Sequence, residues 1–394
     1  MRLWNRSLIM EIAKLTGIFY LSPSNTTYAW NFGFLAFVFL FMQIITGVVL
    51  AMFYNPSAEL AYEVVMYINN EVYYGWWLRL LHANGASWFF FVTYIHMFRG
   101  LYYGSFCYPR QMLWISGVAL WLLMIATAFL GYVLPWGQMS FWAAMVITNL
   151  LSALPLIGAD LIYLLWGGFS IADASLHRFY SLHFVLPFVI LFLSIIHIAF
   201  LHEYGSNNPS GVVNRSDVIP FTPYFLIKDV LGLIVVLIAL FSIIFVIPDW
   251  LGHPDNYIKA NPLVTPAHIV PEWYFLPLYA VLRSVTHKLL GILLLALSIL
   301  MLFILPYLCK YQLVRSGSFR PLSGFCFWLF VVNSVLLGWI GGLPVDDPYL
   351  VLGQIFTFLH FFILGVLYPL LTFVELVVYQ VLIKRSNSRL TFIR

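Results

Sequence analysis

The chain has 394 residues, of which 62% are hydrophobic and only 9% charged, with a formal net charge of +4. A soluble domain carries about a quarter of its residues charged, so composition points to an all-α integral membrane protein embedded in a lipid bilayer and excludes a nucleic-acid binder. Residues 1–24 hold Arg2, Arg6, Glu11 and Lys14 with no apolar core before a small-residue cut site, so no cleavable signal is expected.

The first apolar run, 31–54, is uncharged and holds Gly33 and Gly47, fourteen residues apart. The second, 76–101, reads WWLRLLHANGASWFFFVTYIHMFRGL; it is read as apolar enough to cross a bilayer, yet carries His82 and His96, again fourteen apart. The third, 112–135, is uncharged and repeats the interval with Gly117 and Gly131. Residues 137–168 are broken by Pro155 and Gly158 into pieces short for a span, which suggests an amphipathic hairpin on the membrane surface; a true span through 139–154 is the alternative. The fourth span, 179–201, lies in a stretch where His183 and His197 repeat the fourteen-residue interval. A fifth span covers 225–247, followed by a polar loop containing Pro254, Pro262, Pro266 and Pro271. Residues 273–283 read as a short helix opened by Pro271–Glu272. Spans at 289–308, 325–343 and 349–381 bring the total to eight; Pro369 predicts a kink or tilt in the last.

Fourteen residues rise about 21 Å in an α-helix and return to nearly the same face. An imidazole in hydrocarbon needs a partner. One such histidine is most often a hydrogen-bonded packing residue, but two ladders of equal spacing supply each other's partners at two depths. Neutral imidazole is the usual axial ligand of haem iron, and two imidazoles on one iron leave no open position, so such a centre passes electrons. Cys107, Cys309 and Cys326 form neither CxxC nor CxxCH, which argues against a disulfide framework, a zinc site or covalently attached haem and leaves the b type. The glycines read either as ordinary helix-packing positions or as notches that let a flat group approach. The sharper reading has the first four helices enclosing two stacked haems.

Eight spans put both termini on one side. Arg79, Arg178, Lys259, Arg283 and Lys288 then fall on the opposite side and the other fourteen of the 19 basic residues on the terminus side, which the positive-inside rule makes the inner one. His82 and His183 share the outer depth, His96 and His197 the inner. Arg79 and Arg99, each three residues from a histidine, are candidates for haem propionates or for interfacial snorkelling.

The four histidines, GYVLPWGQMSFW (131–142) and PEWYFLP (271–277) closely resemble the mitochondrial cytochrome b family, the di-haem membrane subunit of the ubiquinol–cytochrome c reductase (cytochrome bc1) complex. HANGASWFFF, RGLYYGS, HEYGSNNP, LGHPDNYI and LGWIGG extend the likeness along nearly the whole chain. A single full-length chain looks mitochondrial or bacterial, and a short N-terminus and thirteen residues between His183 and His197 favour the mitochondrial form. The resemblance implies two regions, 1–216 around the haems and 217–394 with an outer quinol-site loop at 249–288. It implies a multi-pass protein of the mitochondrial inner membrane, both termini in the matrix, in a dimeric complex with an iron–sulfur (Rieske) protein and cytochrome c1.

It further implies that ubiquinol is oxidised near the outer face. One electron goes to the iron–sulfur protein and the other through a low- and a high-potential haem b to quinone near the inner face, contributing to a proton gradient. Glu272, Tyr279 and Tyr132 are the implied catalytic residues of the outer site, with Phe129, Met139 and Pro271 lining it; His202, Ser206, Lys228 and Asp229 are implied at the inner site. Without the resemblance, Glu272 reads more readily as a helix-start acid than as a proton acceptor.

Ala143 stands where the family usually has glycine, and its extra methyl should weaken binding of bulky outer-site inhibitors relative to an Ala143→Gly protein. His177 and His287 are given no role, His253 and His268 belong to the outer loop unassigned, and His360 reads as a packed polar residue. The glycosylation-like triplets at Asn5, Asn25 and Asn214 are taken as chance. Two rivals remain: a proton-coupled transporter, which would more often show an inverted repeat, and the haem-bearing anchor of another dehydrogenase, which would lack the Pro271–Glu272 loop.

Overall fold

The computed structural model describes residues 20–212, 216–309, 312 and 314–391. Asn5, Asn214, Arg2, Arg6, Lys14, Arg215, Lys310 and Arg394 lie outside them.

Hydrocarbon offers no partner to a backbone amide, so long apolar runs close their own hydrogen bonds as helices. In chain order these are α1 (Phe32–Ala51), α2 (Ala61–Asn70), α3 (Gly75–Tyr102), α4 (Gln111–Val133), α5 (Gln138–Asn149), α6 (Gly158–Trp166) and α7 (Asp173–Tyr204). After them come α8 (Tyr224–Val246), α9 (Leu276–Arg283), α10 (Lys288–Leu308), α11 (Pro321–Gly341), α12 (Tyr349–Phe362) and α13 (Tyr368–Thr391). Among the described residues, seven helices are long and apolar enough to cross a membrane: α1, α4, α7, α8, α10, α11 and the continuous α12–α13. The stretch expected as the second span is not one of them. It forms the 28-residue α3, but Arg79, His82, Asn84 and His96 dilute its apolar character.

Two elements have no counterpart in the sequence reading. Helix α2 covers ten residues between α1 and α3, and the turn after it passes through Tyr74 at φ 58° before Gly75. A Cβ on Gly75 would lie 1.9 Å from the Ile68 carbonyl oxygen, so no other residue fits there. The second is a short antiparallel ribbon, β1 (Leu21–Pro23) on β2 (Val218–Pro220), with Ser22 opposite Ile219. The expected hairpin at 137–168 is two short helices, α5 and α6, neither long enough to span. The last span changes its hydrogen-bond pattern just before Pro369. Pro369 has no amide to give the Gly365 carbonyl, and residues 363–367 form a π-helical turn between α12 and α13.

Helix α1 packs along α3, and α4 along α7. The C-terminal helices are pinned by a buried ion pair: Arg320 Nε donates to Glu375 Oε2 at 3.0 Å. Glu375 Oε1 also accepts the amides of Leu322 and Ser323 at 2.8 and 3.2 Å, so a carboxylate from α13 caps the first turn of α11. Arg178 donates to the Leu164 carbonyl at the end of α6, and the exposed His287 accepts the Leu290 amide. His287, given no role from sequence, is thus the N-cap of α10.

Candidate functional site

The four intramembrane histidines meet in two pairs. The rings of His82 (α3) and His183 (α7) have centroids 6.2 Å apart, and those of His96 (α3) and His197 (α7) 6.5 Å apart. Each glycine expected as a notch faces one of these rings. A Cβ on Gly47 would stand 3.1 Å from His82 Cε1, on Gly33 3.0 Å from His96 Cε1, on Gly117 3.1 Å from His197 Cε1 and on Gly131 2.4 Å from His183 Cε1. The group each glycine admits is therefore first the imidazole itself. The notches of α1 receive the rings of α3, and those of α4 the rings of α7.

Hydrogen bonds then orient the rings. The Thr46 hydroxyl spends its proton on the Met42 carbonyl at 2.7 Å, so its oxygen accepts from His82 Nδ1 at 2.8 Å. Ser116 donates to the Leu113 carbonyl at 3.0 Å and accepts from His197 Nδ1 at 2.8 Å. His183 Nδ1 donates to the Thr127 carbonyl at 2.8 Å. In these three rings the proton is assigned to Nδ1, and the Nε2 lone pair is free for a metal. His96 is the exception. Its Nδ1 accepts from Arg99 Nη2 at 3.0 Å, while Arg99 Nε is buried with no protein partner.

Thr46, Ser116 and Thr127 escaped the sequence reading. The one signal for the first two was a hydroxyl residue directly before a notch glycine, at Thr46–Gly47 and Ser116–Gly117.

The residues fit iron held by paired imidazoles. A ring nitrogen lies about 1.1 Å from its centroid and binds a metal at about 2 Å, so two rings on opposite sides of one ion have centroids about 6.3 Å apart. Both pairs lie within a few tenths of an ångström of that separation.

A cavity of about 320 Å³ is lined by His82, His183, Gly47, Gly131, Arg79, Tyr132 and Glu272. Arg79 donates to Asn69 and to the Tyr257 hydroxyl at its rim. Glu272 ends the polar loop before the 3₁₀ turn Trp273–Phe275. Burial pushes its carboxyl up to about 7, opposed by the nearby Tyr132 hydroxyl. That hydroxyl is buried and closes no hydrogen bond. The other residues expected at the outer quinol site, Tyr279, Phe129, Met139 and Pro271, lie outside this histidine-lined cavity. The Arg283 guanidinium sits over the Tyr279 ring, Phe129 packs on Phe179, and Met139, fully buried on α5, takes the Val270 amide on its sulfur at 3.5 Å. Ala143, also on α5, is buried away from the cavity.

A second cavity, of about 730 Å³, is lined by His96, His197, Gly33, Gly117, Arg99, His202, Ser206, Lys228 and Asp229. Lys228 Nζ donates to the Thr26 carbonyl, His202 packs against the Tyr20 ring, and the Ser206 amide donates to the Tyr20 hydroxyl. Leu40, Phe89, Met124 and Ile190 line both cavities and form the wall between them. His177 is exposed, and His253 caps a 3₁₀ turn by accepting the Asp255 amide. His268 Nε2 lies 3.3 Å from the Gly342 carbonyl oxygen.

Comparison with known proteins gives a consistent picture. Residues 18–205 match the family model "Cytochrome b/b6/petB" and residues 259–361 match "Cytochrome b(C-terminal)/b6/petD". The chain is 51% identical over 375 residues to cytochrome b of Chondrus crispus, covering 95% of this chain and 98% of that one. It is 48% identical over 389 residues to cytochrome b of Dictyostelium discoideum, covering 99% and 100%. Against cytochrome b of Oryza sativa subsp. japonica it is 53% identical over 352 residues, covering 89% and 88%. Among solved structures, a chain of a "Hyperthermophilic respiratory Complex III" superposes with a TM-score of 0.89 at 34% identity, covering 95% of this chain and 98% of that chain.

Proposed function

This chain belongs to the cytochrome b family, and we propose that it is the di-haem electron-transfer subunit of a ubiquinol–cytochrome c reductase in the mitochondrial inner membrane. The observation that carries the reading is the pair of imidazole separations, 6.2 and 6.5 Å, each repeated at the interval the sequence spacing requires.

In this reading α3 is an eighth span, and α1, α3, α4 and α7 surround two b-type haems. His82 and His183 would hold one and His96 and His197 the other, the histidines of each helix standing about 21 Å apart along it. Bound there, the haems supply reversible one-electron transfer between the two faces. Arg79 and Arg99, which line the two cavities, would hold their propionates. Arg99 leaves His96 Nδ1 to do so, because a ring that ligates through Nε2 carries its proton on Nδ1.

The chain's own residues handle protons and position quinone. Glu272, poised near neutral pH in a dry pocket, accepts a proton from ubiquinol at the outer site, with Tyr132 beside it. Tyr279 acts with them, and Phe129, Met139 and Pro271 line the quinol pocket. At the inner site His202, Ser206, Lys228 and Asp229 orient quinone and deliver protons to it. The second electron leaves to an iron–sulfur protein of the same dimeric complex, which also holds cytochrome c1. Both termini face the matrix. The two regions, 1–216 and 217–394, divide this work: the first holds the haems, the second supplies the outer loop.

The test is direct. The purified complex, reduced with dithionite, should show two b-type haems per copy of this chain, and His82→Ala should lose one of them. One haem, or none, would defeat the reading. Inhibitor-sensitive reduction of cytochrome c by ubiquinol separates it from a dehydrogenase anchor.

A further inference from the structure

Away from both cavities, the C-terminal helices hold buried polar atoms that no protein group satisfies. Asn333 on α11 is 3% exposed, and its Nδ2 donates to the Phe356 carbonyl of α12 at 3.1 Å. That bond seats its Oδ1, which accepts nothing, at the turn carrying Thr357 and His360. Thr357 is 5% exposed and its Oγ1 has no partner. His360 follows three residues later on the same helical face. Both its ring nitrogens are buried and unpaired, and its ring packs between Phe330 of α11 at 5.7 Å and Phe361 at 5.3 Å. None of the three residues lines either cavity.

The donor and acceptor inventory is specific. Asn333 Oδ1 accepts, the Thr357 hydroxyl donates and accepts, and a neutral imidazole offers one donor and one acceptor. His360 is the twelfth residue of α12, about 16 Å from its start, deep in the spanning segment. Unmade hydrogen bonds are most costly there. Buried water makes about three hydrogen bonds, enough for one to each of these three side chains.

We infer that Asn333, Thr357 and His360 form a water-binding site between α11 and α12. The bound water donates to Asn333 Oδ1 and bridges to the Thr357 hydroxyl and one His360 nitrogen. It lies just before the π-helical turn at 363–367 and locks the two helices in register there.

Cryo-electron microscopy of the intact complex, at a resolution that shows ordered water, tests this. The expected result is a density peak about 2.7–3.2 Å from Asn333 Oδ1, Thr357 Oγ1 and one ring nitrogen of His360. A dry site, with the Thr357 hydroxyl turned onto Asn333 Oδ1 or the Gly353 carbonyl, overturns it. Thermal unfolding of His360→Phe, Thr357→Val and the double variant gives a second reading. A shared water makes the double variant's midpoint shift no larger than the larger single shift, whereas additive shifts overturn the sharing. Absorbance by haem should be unchanged in all three.

Discussion

Gly131 is the tightest of the four notches, because a methyl there would come within 2.9 Å of Cε1, Nδ1 and Nε2 of His183. Gly131→Ala should therefore displace His183 and remove the haem of the outer pair, at an overpacking cost of about 1–3 kcal/mol, with Gly47→Ala milder. The reduced-minus-oxidised spectrum distinguishes them; an intact two-haem spectrum for Gly131→Ala would contradict the assignment. Thr46→Val removes the acceptor of His82 Nδ1 while keeping its shape. It should weaken retention of that haem by about 10–100-fold, measured as haem loss on dilution into detergent. Glu272 titrates upward from its ordinary 4.5 to about 7 because it is buried. The folded form thus holds its proton more tightly than the unfolded one, and the cost of burying the carboxylate grows as pH rises through that window. Quinol oxidation should rise with pH through about 7 as the base form appears, and Glu272→Gln should flatten this rise and lower the rate. The histidines and notch glycines were legible because their interval repeats on four helices. Thr46 and Ser116 were not, since a hydroxyl within an apolar helix ordinarily bonds its own backbone, and both do that as well.

At the scale of elements, the buried Arg320–Glu375 pair joins α11 to α13, and both partners are almost wholly inaccessible. Glu375→Gln leaves Arg320 without its counterion in a dry place, which should cost about 3–5 kcal/mol and lower the thermal midpoint of the complex. The double variant Arg320→Met, Glu375→Leu should recover part of that loss; an unchanged midpoint in the single variant would show the pair to be idle. Long apolar runs and a break in helix regularity near Pro369 could be read in advance, because length and proline chemistry act locally. Helix α2 could not, since its ten residues mix polar and apolar positions and owe their place to the packing of α2 on α3. The β1–β2 ribbon joins strands of three residues nearly 200 positions apart, a pairing without a local signature. The expectation that α3 would count as a span by composition failed because the residues that give it chemistry are those that make it polar.

Over the whole molecule, two cavities about one long helix-rise apart share only a thin apolar wall of Leu40, Phe89, Met124 and Ile190. Met124→Asp should place a charge in that wall and shift the redox midpoints of both haems, read by potentiometric titration, while altering neither quinone site directly. The pairing of notch with ring has a consequence for biogenesis. Each glycine helix and its histidine partner come in chain order, α1 before α3 and α4 before α7. Synthesis through Tyr102 thus provides the first half of both proposed metal clasps, with Gly33 and Gly47 already available to seat the imidazoles of α3. The opposing jaw, on α7, is made about a hundred residues later. Cofactor capture is therefore a late event in assembly, and a ribosome-stalled chain ending before His183 should insert into the bilayer yet remain colourless.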